Sequence, residues 1–215
     1  MIVICVGSKK GGVGKTTIAT NLASCFASRG KTLLIDADEQ KSSMFFRETR
    51  ENAEPTFQAV SILTNTIHHD VKGFDHEFVV IDTGGRDSKV FRSALAAADI
   101  FIIPVRPGQY DILSTEETLE IIEEFKSIGK EIPTMLLKNM VNTNKRLKIT
   151  GEASVALDDI AQRYKVGVFE TQICERNAFE LSAEMGRGVV EVADDRFFKA
   201  ADEFNNFFNE LLERI

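Results

Sequence analysis

A lysine- and glycine-rich segment near the start of the chain has the residue types of a phosphate-binding loop. It reads SKKGGVGKT over residues 8–16 and follows the apolar, strand-like run at 2–6. Its three glycines let the backbone bend so that successive N–H groups can point at phosphate oxygens. A helix that begins at Lys15 would turn the positive end of its dipole towards the same oxygens. The segment therefore predicts a strand–loop–helix unit that binds a nucleotide.

Side chains of this loop could hold the phosphates and a metal ion. Lys15 is placed to neutralise the β- and γ-phosphates, and the hydroxyl of Thr16 to ligate Mg²⁺. The spacing matches G-x-x-x-x-G-K-[ST] except that Lys9 stands at the first glycine. A second lysine, Lys10, offers a charge to a nucleotide held by another subunit. The expected nucleotide contacts are Lys10, Gly11, Gly12, Val13, Gly14, Lys15, Thr16 and Thr17.

Two further apolar runs end in carboxylates. The first ends in Asp36 and is followed by Asp38, and the second ends in Asp82. Carboxylates at strand ends beside a phosphate loop can hold Mg²⁺ and its waters. One of the first pair could also orient the water that attacks the γ-phosphate. The predicted metal-site residues are Thr16, Asp36 and Asp82.

Strand-like runs alternate with helical patterns along the whole chain. This alternation predicts an α/β fold with a mostly parallel, twisted sheet flanked by helices on both faces. With the phosphate loop after its first strand, the expected fold class is that of a P-loop NTPase. We expect strands at 2–6, 32–36, 57–62, 77–82, 99–104, 132–138 and 166–169, and helices at 15–29, 40–53, 88–98, 111–128, 152–164, 176–185 and 194–214. Residues 1–215 would then form a single domain, with no helix-turn-helix domain ahead of the loop.

The bulk composition excludes several classes of protein. With 215 residues, of which 43% are hydrophobic, the chain can bury a full core. No run approaches the length of a membrane span and no signal peptide precedes the first strand, so we expect a cytoplasmic protein with no membrane partner. A net charge of −7 argues against a strongly basic nucleic-acid coat, although it leaves room for a local basic patch.

The last helical pattern carries a phenylalanine-rich apolar stripe. Helices that lie on membrane surfaces usually present Lys and Arg on the polar face. Residues 194–215 instead hold six acids and three bases, a net charge of −3. We therefore expect this helix to pack in the core or against a partner protein.

The pattern K-G-G-x-G-K-T-T at 10–17 resembles the deviant Walker A motif of the ParA/MinD family of partition and positioning ATPases. Residues 36–42 are similar to the first switch segment of that family, with Glu39 and Lys41 where Pro and Gly are usual. Residues 82–88, with the A-L-A-A-A-D run that follows them, resemble the second switch of the small plasmid-type ParA proteins.

This resemblance implies an ATPase that uses ATP and Mg²⁺ and forms a two-fold dimer with ATP sandwiched between the subunits. Lys10 would contact the partner's ATP, Asp38 would position the attacking water, and Asp36 would hold Mg²⁺ through water. The catalytic residues implied are Lys10, Lys15 and Asp38.

An asparagine after the sixth predicted strand could recognise the base. Its amide offers both a donor and an acceptor, which suits the edge of adenine. Family members often place an asparagine here, and both Asn139 and Asn142 qualify. We expect Asn139 to make the contact because it follows the strand directly.

Basic residues in the second half of the chain could form a local positive surface. ParA relatives bind nonspecific DNA through such residues once the ATP dimer has formed, so the resemblance implies salt-sensitive DNA binding. It also implies a ParB-like adaptor that stimulates hydrolysis, with a plasmid or chromosome as the cargo. The expected DNA contacts are Lys145, Arg146, Lys148 and Arg176.

Other functions stay open on the sequence. A MinD-like or other ParA-type switch could position a protein cargo, but the membrane form of that switch would need a basic amphipathic tail. A metabolic ATP-dependent enzyme of the same fold would need substrate or cluster residues, and no such motif is apparent. A binding protein that turns over little ATP is a third possibility.

Overall fold

The computed structural model describes residues 1–50, 53–143 and 148–215. In this part of the chain, seven strands form one sheet with the order β3-β2-β4-β1-β5-β6-β7. Every neighbouring pair is parallel. The strands are β1 (Ile2–Val6), β2 (Thr32–Ala37), β3 (Gln58–Ser61), β4 (Phe78–Thr83), β5 (Ile100–Val105), β6 (Thr134–Val141) and β7 (Gly167–Cys174).

Helices connect the strands and cover both faces of the sheet. The helices of the described ranges are α1 (Lys15–Ala27), α2 (Ser42–Thr49), α3 (Ile67–Asp70), α4 (Lys89–Ala97), α5 (Gln109–Ser127), α6 (Lys148–Tyr164), α7 (Asn177–Glu184) and α8 (Phe198–Leu212). Short 3₁₀ turns lie at Val71–Gly73 and Val189–Glu191. Helices α1, α2, α7 and α8 cover one face, and α3 to α6 cover the other. The predicted α/β class and the parallel sheet are thus confirmed.

The strands alternate their side chains between two apolar cores. In β1, Ile4 and Val6 pack with α1 and α8, whereas Val3 and Cys5 pack with α4 and α5. Both sets are nearly or fully buried because a parallel sheet inside an α/β fold is covered on both faces. This explains why the predicted strands read as continuous apolar runs.

Several boundaries differ from those predicted. The predicted helix 40–53 corresponds to α2, which ends at Thr49, and residues 51 and 52 lie outside the described residues. The short helix α3 was not predicted at all, because its four residues, Ile67–Asp70, are too few for a helical period. Strand β7 continues to Cys174 rather than ending near 169.

The extension of β7 depends on two glutamates of α8. Strand β7 is at the edge of the sheet, so its outer amides have no neighbouring strand to bind. The carboxylate of Glu210 accepts hydrogen bonds from the Glu170 and Thr171 amides, both at 2.9 Å. Glu203 accepts one from the Cys174 amide at 3.1 Å. Helix α8 thus replaces the missing neighbour with carboxylates.

Helix α8 packs in the core, which is one of the two outcomes expected for it from the sequence. Phe204 and Phe207 are fully buried, and Phe208 and Leu211 are also in the core. Phe207 meets Phe169 of β7 edge-on, with ring centroids 5.0 Å apart. Among the residues described, no helix is long and apolar enough to cross a bilayer.

Candidate nucleotide and metal site

The candidate site lies where β1, β2 and β4 end at the same edge of the sheet. The phosphate loop follows β1 and leads directly into α1. In the strand register, Asp82 of β4 pairs with Val6 of β1 and with Asp36 of β2. The sheet therefore brings the loop and two predicted carboxylates together, although they are far apart in sequence.

Asp82 is the centre of a buried hydroxyl–carboxylate cluster. Its Oδ2 accepts hydrogen bonds from Thr16 Oγ1 at 2.8 Å and from Ser43 Oγ at 2.7 Å. Its Oδ1 is buried without a hydrogen-bond partner among the described residues. Burial raises the pKa of Asp82 to about 7, and the nearby Asp36 adds to this, while the Ser43 and Thr16 hydrogen bonds oppose it. A water bound to Mg²⁺ would supply the donor that Oδ1 lacks.

Asp36 is also buried, but its oxygens are used by the backbone of the switch segment. Oδ1 accepts from the Asp38 amide at 3.1 Å, and Oδ2 accepts from the Met44 amide at 2.9 Å. Burial raises the pKa of Asp36, and these hydrogen bonds oppose the rise. In this arrangement Asp36 fixes the path of the chain from β2 into α2, and a metal contact through water remains a prediction.

Lys15 is buried at the base of the loop. Its Nζ donates to the Lys10 carbonyl at 2.7 Å, so the ammonium is held inside the curve of the loop. Burial lowers the pKa of Lys15, and the charges of Asp82 and Asp38 counteract this. The ammonium thus lies between the phosphate cradle and the acidic cluster, as a phosphate-binding lysine requires.

The loop is open on the side where phosphates would lie. A Cβ added at Gly11 or Gly12 would meet nothing within 4 Å, so the space above these residues is empty. Gly12 and Gly14 have φ angles of 73° and 84°, which side chains rarely adopt. The glycines are therefore needed for the loop conformation, and the cradle that they form fits a chain of phosphates.

Asn139 lies beneath the loop. Its side-chain amide donates to the Val13 carbonyl at 2.7 Å, and the residue is only 3% exposed. A Cβ at Gly14 would come within 2.4 Å of the same amide nitrogen. Asn139 therefore supports the loop from below, a role that the sequence did not predict. Its predicted contact with adenine remains a prediction, as does the alternative through the exposed Asn142.

The second switch segment lies against both the first switch segment and the phosphate loop. A Cβ at Gly84 would be 3.5 Å from Asp38, and one at Gly85 would be 3.4 Å from Lys15 Nζ. Asp87 forms an ion pair with Arg92 at 2.8 Å, which assigns it a structural contact. Arg86 is exposed. The glycines of the second switch thus permit close approach to both the first switch and the loop lysine.

Sequence reasoning missed two hydroxyl residues of the site. Ser43 donates a hydrogen bond to Asp82, and the sequence signal for it was only its position a few residues after the acidic pair Asp36 and Asp38. Thr118 of α5 accepts a hydrogen bond from the Lys9 amide at 3.1 Å. Thr118 is more than a hundred residues away and no local pattern marks it.

The structure describes only part of the predicted DNA contacts. Arg176 forms an ion pair with Glu203 at 2.5 Å, so its charge is already partly neutralised. Lys148 is the first residue of α6. Lys145 and Arg146 lie outside the described residues. All four stay predictions.

These residues together fit a magnesium nucleotide. The loop amides and Lys15 would hold the phosphates, and Thr16 and Asp82 would hold Mg²⁺ directly or through water. When bound, Mg²⁺ would neutralise charge on the β- and γ-phosphates. Asp38 is partly exposed at the mouth of the site, and its Oδ1 accepts a hydrogen bond from the backbone N–H of Gln40 at 3.1 Å. A carboxylate held there can accept a hydrogen bond from a water molecule in front of the loop.

Comparisons with known proteins agree with this geometry. A sequence model described as the CobQ/CobB/MinD/ParA nucleotide binding domain matches residues 4–189. The maintenance of carboxysome distribution protein A of Halothiobacillus neapolitanus is 27% identical over 97% of this chain and 95% of its own length. The protein ParA of Rhizobium radiobacter is 27% identical over 86% of this chain and 84% of its own length.

An ATP complex of Cyanothece McdA is a solved structure with the same fold, and it superposes with a TM-score of 0.79. The two chains are 18% identical, and the match covers 98% of this chain and 96% of the McdA chain. The match to the domain model covers both switches and the phosphate loop. The chain therefore belongs to the CobQ/CobB/MinD/ParA nucleotide-binding family, which includes the ParA/MinD-type positioning ATPases.

Proposed function

We propose that this protein is an ATP-dependent dimerising switch that hydrolyses ATP slowly with Mg²⁺ and segregates or positions DNA cargo. In the ATP state the dimer binds nonspecific DNA, and an adaptor of the ParB type stimulates hydrolysis and releases it. The protein would then be cytoplasmic and associated with the nucleoid only when ATP is bound.

The observation that carries this proposal is the different environment of the three loop lysines. Lys9 is paired with Glu117 at 3.0 Å, and the Lys15 ammonium is bonded to the loop backbone. Lys10 is half-buried, and no acidic side chain of the described ranges pairs with it. It adjoins the open cradle at Gly11 and Gly12. Its charge is thus free to act on a nucleotide that faces it from a second subunit.

The proposed roles follow from this arrangement. Lys15, Thr16 and the loop amides bind the nucleotide, and Asp38 positions the attacking water. Lys10 stabilises negative charge on the transferred phosphoryl group from across the dimer, as an arginine finger does. Hydrolysis removes the γ-phosphate that holds the two switch segments, and the dimer separates.

DNA binding and molecular mass should be measured together. A random-sequence duplex is titrated without nucleotide, with ADP and with ATP, while light scattering follows the mass. We expect ATP-dependent binding by a dimer, which Lys10→Ala abolishes. Lys9→Ala is the matched control, since it removes a neighbouring lysine that already has a partner. Binding by Lys10→Ala equal to that of the wild type would refute the role of Lys10.

A salt series tests the predicted DNA surface. Four phosphate contacts per subunit give a slope of log affinity against log salt of about −7 for a dimer, and three contacts give about −5 if Arg176 stays paired with Glu203. The slope therefore indicates whether Arg176 separates from Glu203 when the protein binds DNA.

A protein cargo is the second candidate function. It is favoured by the carboxysome distribution protein of Halothiobacillus neapolitanus, which matches nearly the whole chain at the same identity as ParA of Rhizobium radiobacter. ATP-dependent dimers that bind no DNA at low salt would exclude a carrier on the nucleoid. The remaining function would then be the positioning of a protein assembly, which the dimer would bind through a surface other than the DNA-binding one.

A further inference from the structure

The first turn of α2 is attached to the two buried carboxylates of the site. Ser43 Oγ donates to Asp82 Oδ2 at 2.7 Å, and the Met44 amide donates to Asp36 Oδ2 at 2.9 Å. Both carboxylates are fully buried. The start of α2 therefore cannot shift without disturbing the residues that would hold Mg²⁺.

The other end of α2 is attached to a distant part of the chain by a buried arginine. Arg50 follows the last residue of α2 and is 1% exposed. Its guanidinium makes a two-pronged pair with Glu191, at 2.5 and 2.6 Å. It also donates to the carbonyls of Gly186 at 2.9 Å and Pro55 at 2.5 Å. Such a fork-shaped pair fixes direction as well as distance.

The segment that receives Arg50 is residues 186–191, between α7 and α8. Gly186 has a φ of 62°, and a Cβ there would come within 2.6 Å of the Thr49 and Arg50 backbone. Glu191 also accepts a hydrogen bond from the Gly188 amide at 2.6 Å. The segment is therefore packed directly on the end of α2, with no side chain between them.

The same segment is also bonded to the helix that follows the phosphate loop. The Val189 amide donates to Asn21 Oδ1 at 2.7 Å, and the Asn21 side chain donates to the Thr17 carbonyl at 2.8 Å. Both Asn21 and Val189 are buried. The 186–191 segment therefore contacts the nucleotide side of the molecule through two rigid elements, α1 and α2.

The 186–191 segment connects α7 to the part of the chain that leads into α8, and both helices carry exposed apolar side chains. Leu181 and Met185, one turn apart in and just after α7, are 40% and 48% exposed. Phe198, the first residue of α8, is 69% exposed and shares a groove with Leu181. A displacement of the segment would therefore move the surface that these side chains form.

We propose that α2 couples the occupancy of the nucleotide site to the position of the 186–191 segment, through the Arg50–Glu191 pair. The helix has only two turns, and both of its ends are held by buried polar bonds. A shift of Ser43 when Mg-nucleotide binds is therefore passed to Arg50 rather than absorbed by a loop. The coupling rests on the proposed function only in that the ligand is a magnesium nucleotide.

Hydrogen exchange of the full-length protein tests this coupling. Nucleotide affinity is measured first with Mg-ADP and Mg-ATP, and exchange of residues 181–191 is then compared with and without saturating nucleotide. In the wild type we expect nucleotide to slow exchange in this segment by about threefold or more. Amides exchange through local opening of the structure, and a bound nucleotide would make this opening rarer.

The decisive variant is the double substitution Arg50→Met with Glu191→Gln. A single substitution would leave a buried charge without its partner and could prevent folding. The double variant removes both charges and keeps an acceptor for the Gly188 amide. We expect it to bind nucleotide within about threefold of the wild type, while the exchange response of residues 181–191 becomes clearly smaller. Only the part that passes through the Val189–Asn21 bond to α1 should remain.

Two comparison variants separate coupling from general loss of packing. Arg47→Met alters the same helix, but Arg47 donates to the Phe57 carbonyl rather than to the 186–191 segment, so the response should persist. Ser43→Ala cuts the attachment at the other end of α2 and should weaken the response at saturating nucleotide.

The outcomes distinguish the coupling from the proposed function. A response in the double variant as large as that of the wild type would overturn the coupling through α2. Nucleotide binding that leaves exchange of residues 181–191 unchanged in the wild type would overturn it as well. Failure of the wild type to bind any nucleotide would instead refute the proposed function, and the coupling with it.

Discussion

Replacing Asp82 by asparagine should change how stability depends on pH. Burial raises the pKa of Asp82 to about 7 in the folded protein, whereas its ordinary value is 3.8. Between these two pH values the folded state binds more protons than the unfolded state, so the free energy of unfolding of the wild type falls as pH rises. The Asp82→Asn variant has no such carboxyl and should not show this fall.

The size of the effect follows from the width of the pH window. A shift of one pKa unit corresponds to about 1.4 kcal/mol of stability. The difference between the folded and unfolded pKa of Asp82 can therefore change the free energy of unfolding by at most about 4 kcal/mol. Between pH 5 and pH 8 the variant should gain about 2 to 3 kcal/mol relative to the wild type. The asparagine oxygen can still accept from Thr16 and Ser43, so the hydrogen bonds are kept.

Urea unfolding between pH 5 and pH 8, without nucleotide or Mg²⁺, measures this difference. Titrating groups that do not interact with Asp82 are common to both proteins, so they cancel in the comparison. The charge of Asp82 also acts on Lys15, where burial lowers the pKa and the Asp82 charge raises it. Asp38→Asn is the control for removal of a charge from the same site, since Asp38 is only partly buried. A stability difference between Asp82→Asn and the wild type that does not vary with pH would refute the reasoning. The variant should also lose the added stabilisation that Mg²⁺ gives to bound nucleotide.

Two further predictions concern positions that support the site and the sheet. Asn139→Ala should cost about 1 to 3 kcal/mol of stability, because it leaves the buried Val13 carbonyl unpaired. If Asn139 only supports the loop, calorimetry will show that the variant binds ATP and GTP with equally reduced affinity. Asn142→Ala is the control. A loss of affinity confined to ATP would assign the adenine contact to Asn139. Glu210→Ala should cost about 1 to 3 kcal/mol in urea unfolding because two amides of β7 lose their acceptor, whereas the exposed Glu213→Ala should cost under about 0.5 kcal/mol. Equal effects of these last two substitutions would contradict the role given to Glu210.

Local patterns were enough to predict the parts of the site that lie on the phosphate loop and at strand ends. Gly12 and Gly14 adopt backbone angles that glycine favours, so their type already indicated the shape of the loop. Asp36 and Asp82 end apolar runs, and parallel strands bring such ends to one edge. The α/β fold followed from the same alternation of strands and helices.

The contacts that hold the site in place could not be read from local patterns. The bonds of Asn139 to Val13 and of Thr118 to Lys9 join residues more than a hundred positions apart. In the sequence, Arg50 after α2 has the features of a surface residue. It is buried because the fold places Glu191 beside it. Tertiary packing, rather than the type or spacing of neighbouring residues, decides these positions.

The carboxylates that α8 places along β7 also affect how copies of this protein can associate. Fibrils and swapped sheets grow by adding strands to an open edge, where a row of backbone groups is available. At this edge Glu203 and Glu210 already occupy the amides of Glu170, Thr171 and Cys174. A strand from another molecule would have to displace a helix that also carries much of the core. The bonds between α8 and β7 therefore oppose polymerisation through this edge, and α8 protects the folded protein from aggregation there.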